Sequence, residues 1–301
     1  MLFQGCGTAM VTPFRKDGSL DEPTLRSLVK RQVNEGINFL VPCGTSGESP
    51  TLTREEHLRV VEITLEETNG RVRVLAGAGG YNTAEVISLA KELQKLGADG
   101  ILSVTPYYNK PTQEGLFQHF KAIASAVNLP IILYSVQGRT GVNIEPSTVL
   151  RLSQIQNIVG IKEASGNISQ MGAILNLVPK DFLVLSGDDS LTLPLISLGG
   201  RGLISVASNE IPAEMTRLVQ AALSGDFAEA RRLHFQYLSL MDINFVESNP
   251  IPVKGALAEM GLLQPVWRLP LVSPKPENLA RIRAVLESLN LIERVHVAKS
   301  N

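Results

Sequence analysis

The sequence predicts an α/β fold, a (β/α)8 TIM barrel with a C-terminal helical region, and three observations carry that reading. Short, nearly all-apolar runs alternate with longer amphipathic stretches to about residue 223, the pattern of repeated β-α units. The short runs number eight, the count that closes a parallel barrel. Beyond the eighth, only amphipathic stretches remain, so the chain divides into a barrel over 1–223 and a helical region over 224–301.

In order, strands are expected over 7–12, 39–42, 72–76, 100–104, 131–134, 158–162, 182–186 and 202–206. The helix after the second strand opens on Thr53 with Glu56 three residues on, a capping box that satisfies N–H groups the first turn leaves unpaired. Leu58, Val61, Ile63 and Leu65 follow, and Asn69-Gly70 supplies the stop. Thr83-Ala84-Glu85 opens the next helix, with Val86, Leu89, Ala90 and Leu93 on one face and Gly97 at its end. Right-handed crossovers through such helices make the strands parallel. After the eighth strand, helices are expected over 226–240, 251–260 and 276–289, with Pro265 and Pro270 before the last. Such a tail can cap the barrel or build an oligomer contact.

Composition narrows the function. The 301 residues are 44% hydrophobic and 19% charged, enough apolar material for a large core and too little charge for disorder. Lys plus Arg total 28 against 29 Asp plus Glu, and no basic run tracks a phosphate backbone, which argues against nucleic acid as a partner. The first residues lack the features of a secretion signal, and no apolar run approaches the roughly 20 residues of a membrane span. A soluble, cytoplasmic protein without a membrane partner is expected. Cys6 and Cys43 fall in apolar segments and read as buried free thiols. His57, His119, His234 and His296 lack ligand spacing and read as surface or helix-face residues, and no Walker or dinucleotide glycine motif is present. Neither a metal nor a cofactor is expected.

In a closed parallel barrel the chemistry sits at the carboxyl ends of the strands. Lys162 ends the apolar run Asn157-Ile158-Val159-Gly160-Ile161, where surface decoration explains it poorly. A free lysine has a pKa of roughly 10.4, and desolvation lowers it toward the uncharged amine a Schiff base requires. The structural alternative is an ion pair with Glu163. Gly44-Thr45-Ser46-Gly47-Glu48-Ser49 after the second strand offers backbone N–H groups to a small carboxylate or phosphate, or is a plain polar turn. Tyr107-Tyr108, in a proline-bounded loop after the fourth strand, suits interface packing at least as well as chemistry. Tyr134 could shuttle protons at the end of the fifth strand, and Arg139 beyond it could clamp a carboxylate through two parallel hydrogen bonds. Their structural alternatives are a core tyrosine and a surface ion pair. For Asp188-Asp189-Ser190 after the seventh strand, helix capping is the favoured reading over metal binding or acid–base work.

Taken together, several of these segments resemble the dihydrodipicolinate synthase and N-acetylneuraminate lyase superfamily of pyruvate-dependent class I aldolases, over nearly the whole chain. They are Gly44-Thr45-Ser46-Gly47-Glu48, Val104-Thr105-Pro106-Tyr107-Tyr108, Tyr134 with Gly138-Arg139-Thr140-Gly141, Gly160-Ile161-Lys162-Glu163-Ala164 and Ser186-Gly187-Asp188-Asp189. Asn249-Pro250-Ile251-Pro252-Val253-Lys254 adds a further match.

The resemblance implies a homotetramer built from two tight dimers. It makes Lys162 the amine that forms an imine with pyruvate, and Tyr134 a proton relay linked through Thr45 to Tyr108 of the neighbouring subunit. Thr45 and Ser46 would hold the pyruvate carboxylate, and Gly187 and the Ile204 carbonyl would border the reacting lysine. Arg139 stands where members that use L-aspartate 4-semialdehyde receive its carboxylate, whereas sugar-acid lyases generally lack it. The implied reaction is condensation of the two substrates to 4-hydroxy-tetrahydrodipicolinate, the first committed step toward diaminopimelate and lysine. Cleavage of a 2-keto-3-deoxy sugar acid is the alternative within the superfamily, and a non-catalytic binding relative would have no need of the relay. Ser135 and Gln137 replace the usual Asn and Pro, so a looser Arg139 loop is expected. Ser49, His57, Glu85 and Tyr107 match a lysine feedback site, but Tyr81 stands where regulated members commonly have asparagine, so weakened feedback is expected.

Overall fold

Eight parallel strands close on themselves in sequence order, β1 (Gly5–Ala9), β2 (Phe39–Val41), β3 (Arg73–Gly77), β4 (Gly100–Val104), β5 (Ile131–Ser135), β6 (Ile158–Glu163), β7 (Leu183–Ser186) and β8 (Gly202–Ser205). The seam is the β1–β8 pairing, with Gly7 opposite Ile204. The computed structural model of the chain describes residues 2–293, and His296 lies outside them.

Between the strands run α1 (Glu22–Asn34), α2 (Arg54–Thr68), α3 (Thr83–Leu96), α4 (Gln113–Ala126), the single turn α5 (Gln137–Thr140), α6 (Pro146–Leu152), α7 (Ile168–Leu177) and α8 (Thr192–Ser197). After β8 come α9 (Pro212–Leu223), α10 (Phe227–Ile243), α11 (Ile251–Glu259) and α12 (Pro276–Ser288). The barrel with its helical tail is therefore the fold the sequence predicts.

Side chains two apart on a strand share a face, and this splits the core in two. Phe39 and Val41, Ile132 and Tyr134, and Leu183 and Leu185 pack together with Ile204 inside the barrel. Leu40, Leu133, Ile161 and Val184 point the other way and pack in the sheath between strands and helices. One irregularity interrupts this order: Ile131 pairs with Ile158 but Ile132 pairs with Gly160, leaving Val159 as an extra residue, a β-bulge in β6.

The ends of the elements show which local signals hold. The Thr53 capping box is complete, with Thr53 accepting from the Glu56 N–H and Glu56 from the Thr53 N–H. For α3 the cap is Asn82, one residue before the expected Thr83, because the Thr83 hydroxyl is instead 2.9 Å from His119 Nδ1. Strand β1 stops at Ala9 rather than residue 12, since the Val11 N–H leaves the ladder and donates to the Asn209 side chain at 3.2 Å. Helix α10 runs to Ile243, past the expected 240, because Met241 and Ile243 continue its buried face.

Both cysteines are free and buried, as expected. His57 and His119 lie on helices but face inward rather than to the surface. His57 Nε2 meets the Gly77 carbonyl at 2.9 Å. Burial lowers the pKa of both, that of His119 to about 4. Among the described residues no helix is long and apolar enough to cross a membrane, and no cluster of three His, Cys, Asp or Glu side chains could hold a metal ion.

The tail is not peripheral. Every residue from Ile251 to Leu257 is buried, and α11 reaches the 3-10 turn Ala207–Asn209 at the carboxyl end of the barrel.

Candidate active site

Lys162 is the penultimate residue of β6 and only 5% exposed. It pairs in register with Tyr134 on β5 and Leu185 on β7, both interior residues, so its amine is delivered inside the barrel mouth. Its Nζ lies 4.4 Å from the centroid of the Tyr134 ring. Glu163, one residue on, faces the opposite side of the sheet. Its carboxylate accepts from the Ser165 N–H at 3.3 Å and Gln170 Nε2 at 2.8 Å, while burial pushes its pKa up. The Lys162–Glu163 ion pair is thus ruled out by strand alternation. Among the described residues Lys162 has no carboxylate within ion-pair distance.

Gly187 supplies the space beside this lysine. A Cβ there would stand 3.0 Å from Lys162 Cε and 2.5 Å from Ala164 Cβ, closer than carbon atoms pack.

The loop after β2 is more than a polar turn. Gly47 N–H donates to the Gly44 carbonyl at 3.1 Å, and Glu48 N–H to that of Thr45 at 3.2 Å. Thr12 Oγ1 donates to the Gly47 carbonyl at 2.7 Å. Among the described residues the Thr45 and Ser46 N–H groups have no acceptor, which leaves two adjacent donors for an anion. Ser46 is buried, and its hydroxyl accepts from Asn249 Nδ2 at 3.0 Å.

Thr45, Ser46, Tyr134, Arg139, Lys162 and Gly187 line one cavity of about 100 Å³. The Ile204 side chain is not among the lining residues and packs in the barrel interior in one cluster with Tyr134. Arg139 donates to the Asn249 carbonyl at 2.9 Å rather than forming the surface ion pair that was its bland alternative. The looseness expected of its loop has no counterpart in the bonding. Ser135 Oγ donates to Asn143 Oδ1 and accepts from the Ile144 N–H, both at 3.1 Å, and Asn143 continues to Gln170.

Three further placements complete the picture. Asp189 caps no helix; it accepts from the Val206 and Ala207 N–H groups at 3.0 and 3.2 Å and from the Ser205 hydroxyl, bracing the end of β8. Tyr108 is left-handed at φ 68° and 93% exposed, and it is not among the residues that line this cavity. Ser49, His57, Tyr81, Glu85 and Tyr107 do converge, lining a second cavity of about 800 Å³ that shares Thr45, Tyr134, Arg139 and Asn249 with the first. There Tyr81 packs edge-on against Tyr107, ring centroids 5.3 Å apart, and adds to the wall without filling the space. Burial, then the nearby Tyr81 and Glu85, raises the Tyr107 pKa.

Sequence reasoning gave no role to Asn249 or Lys254. The signal was present, as a lysine in an otherwise apolar helical run.

Comparison with known proteins agrees with this geometry. The model of the dihydrodipicolinate synthetase family matches residues 2–289. A 4-hydroxy-tetrahydrodipicolinate synthase from Koribacter versatilis is 52% identical over 300 residues, covering 99% of this chain and all of the relative. The crystal structure of dihydrodipicolinate synthase from Aquifex aeolicus superposes with a TM-score of 0.94 at 46% identity, covering 96% of this chain and 99% of that one. The chloride-inhibited dihydrodipicolinate synthase from Acinetobacter baumannii, solved with pyruvate, gives 0.95 at 45% identity, with 96% and 99% covered. The chain belongs to the dihydrodipicolinate synthetase family.

Proposed function

We propose that the protein is a lyase that condenses pyruvate with L-aspartate 4-semialdehyde through a lysine Schiff base to give 4-hydroxy-tetrahydrodipicolinate, the first committed step toward diaminopimelate and lysine. The observation that carries this reading is a buried lysine that, among the described residues, has no carboxylate partner, set over a tyrosine ring in the same small cavity as two backbone donors without an acceptor there. The synthase from Koribacter versatilis, alike over its whole length, supports the same reaction.

Lys162 Nζ adds to the ketone carbon of pyruvate and water leaves, forming a protonated imine. That nitrogen is the electron sink when a methyl proton is lost, and the resulting enamine carbon bonds to the aldehyde carbon of the semialdehyde. The semialdehyde's amino group then attacks the imine carbon, closing the ring and releasing Lys162. Tyr134 carries protons to and from these atoms. The Thr45 and Ser46 N–H groups hold the pyruvate carboxylate, and Arg139 receives that of the semialdehyde.

The exposed, left-handed Tyr108 supports a site completed by a neighbouring copy: its phenol enters the partner subunit's cavity and meets Thr45 there, within a homotetramer of two tight dimers. The larger cavity, with Ser49, His57, Tyr81, Glu85 and Tyr107, is the site for feedback by lysine.

Borohydride reduction in the presence of pyruvate, followed by peptide mass mapping, tests the central step. The adduct is expected on Lys162 and is expected to be lost in Lys162→Ala. Product should then form on adding aspartate semialdehyde, and Arg139→Ala should weaken that second step while leaving the pyruvate adduct. Turnover without a trapped adduct would overturn the mechanism.

A further inference from the structure

We propose that the buried ion pair between Lys254 of α11 and Glu48 positions the pyruvate carboxylate cradle, making both side chains positioning residues for substrate binding. The inference deepens the proposed function and rests on it. Both side chains are wholly buried. Lys254 Nζ lies 4.5 Å from the centroid of the Phe14 ring, and the second Glu48 oxygen accepts from the Arg268 N–H at 3.3 Å. Desolvation lowers the Lys254 pKa and the Glu48 charge opposes that shift.

Such a pair needs a reason other than stability, because well-packed apolar residues often replace buried ion pairs at no cost to the fold. The reason lies in what Glu48 does with its backbone. It is left-handed, at φ 52° and ψ 34°, and its N–H donates to the Thr45 carbonyl at 3.2 Å. The Thr45 carbonyl and the Ser46 N–H belong to one planar trans peptide and point in opposite directions. Drawing the Thr45 carbonyl toward Glu48 therefore turns the Ser46 N–H away from it, toward the cavity. Fixing Glu48 fixes the aim of that donor.

The same stretch of chain holds the cradle at a second point and the other carboxylate receptor as well. Asn249, just before α11, donates through Nδ2 to Ser46 Oγ at 3.0 Å, and its carbonyl accepts from Arg139 at 2.9 Å. The distance between the two carboxylate receptors is thus set by the tail, with Lys254 as its anchor on the cradle side.

The test is the neutral pair Glu48→Gln/Lys254→Met, with Glu259→Gln/Arg283→Met as control. The control removes an ion pair between α11 and α12 at the far end of the same helix. The apparent KM for pyruvate is expected to rise about tenfold in the first variant, the loss expected when a charge-assisted hydrogen bond is misaimed. Its kcat should stay within about threefold and its thermal midpoint within about 5 °C of the parent. The control should leave KM unchanged. A folded Glu48→Gln/Lys254→Met variant with a pyruvate KM within twofold of the parent overturns the proposal, and so does failure to fold at low temperature, which would make the pair a stability element. A parent protein that forms no borohydride adduct with pyruvate would instead refute the reading of function on which the proposal stands.

Discussion

Replacing Gly187 by alanine should disable the lysine while leaving the barrel folded. The new Cβ would stand 2.5 Å from Ala164 Cβ, 3.0 Å from Lys162 Cε and 3.2 Å from the Glu163 carbonyl. Carbon atoms settle at about 3.5–4.0 Å, so roughly 1 Å must open against Ala164 and 0.5–1 Å against the lysine stem. The backbone cannot supply this freely, because the Gly187 N–H is held by the Glu163 carbonyl at 2.8 Å. The lysine stem is the part that can move. Overpacking of this kind costs about 1–3 kcal/mol of stability, whereas a reacting atom displaced by about 1 Å loses on the order of 10²-fold in rate. Gly187→Ala should therefore melt only a few degrees lower but trap pyruvate with borohydride about a hundred times more slowly. Gly138→Ala is the matched comparison: nothing lies within 4 Å of its added Cβ, and full activity is expected. A Gly187→Ala protein that traps pyruvate within about threefold of the parent rate would refute the claim that this glycine makes room for the lysine.

Three other outcomes follow from the same structure. Mixing Lys162→Ala with Tyr108→Phe subunits should restore activity above either alone, since one site of each mixed dimer then has both residues; no gain would place Tyr108 in its own chain's site. Glu210 is buried, its carboxyl accepts from Asn244 Nδ2 at 2.7 Å, and among the described residues its other oxygen and Asn244 Oδ1 have no partner. Burial raises its pKa well above the usual carboxylate value, a shift that Asn244 opposes and Asp189 adds to. A group whose pKa is raised by folding contributes fully below its unfolded value of about 4.3 and loses that contribution as pH rises toward the folded value. Glu210→Gln should consequently gain on the parent in urea midpoint between pH 5 and pH 8, and a gap that does not change with pH would contradict this. Lysine should inhibit only partly at millimolar concentration because Tyr81 forms the cavity wall, and near-complete inhibition at low lysine would argue against that role.

What the sequence revealed, and what it hid, divides by the range of the interactions involved. Strand count and order follow from apolar periodicity, and the Thr53 capping box from residues three apart, so both were legible. Lys162 could be read because its own strand delivers it. Asp189 was misjudged because its partners lie at and just past the end of β8, beyond a helix, and no local pattern announces them. Asn249 and Lys254 join loops some two hundred positions away, so only the folded chain reveals what they hold. Tyr108 looked equally fit for packing or chemistry, because an exposed side chain in a proline-bounded loop carries no periodic pattern that separates the two.

The bulge at Val159 decides which of two neighbours faces the barrel interior. Were Val159 paired in a regular ladder instead of bulging, the pairing beyond residue 158 would slip by one, and parity would turn the amine of residue 162 toward the helices and the acid of residue 163 toward the barrel axis. An enzyme engineer can therefore delete Val159 and keep the lysine opposite Tyr134, since the ladder then runs without interruption, whereas straightening the strand with that residue kept would exchange a nucleophile for a carboxylate with no change in composition.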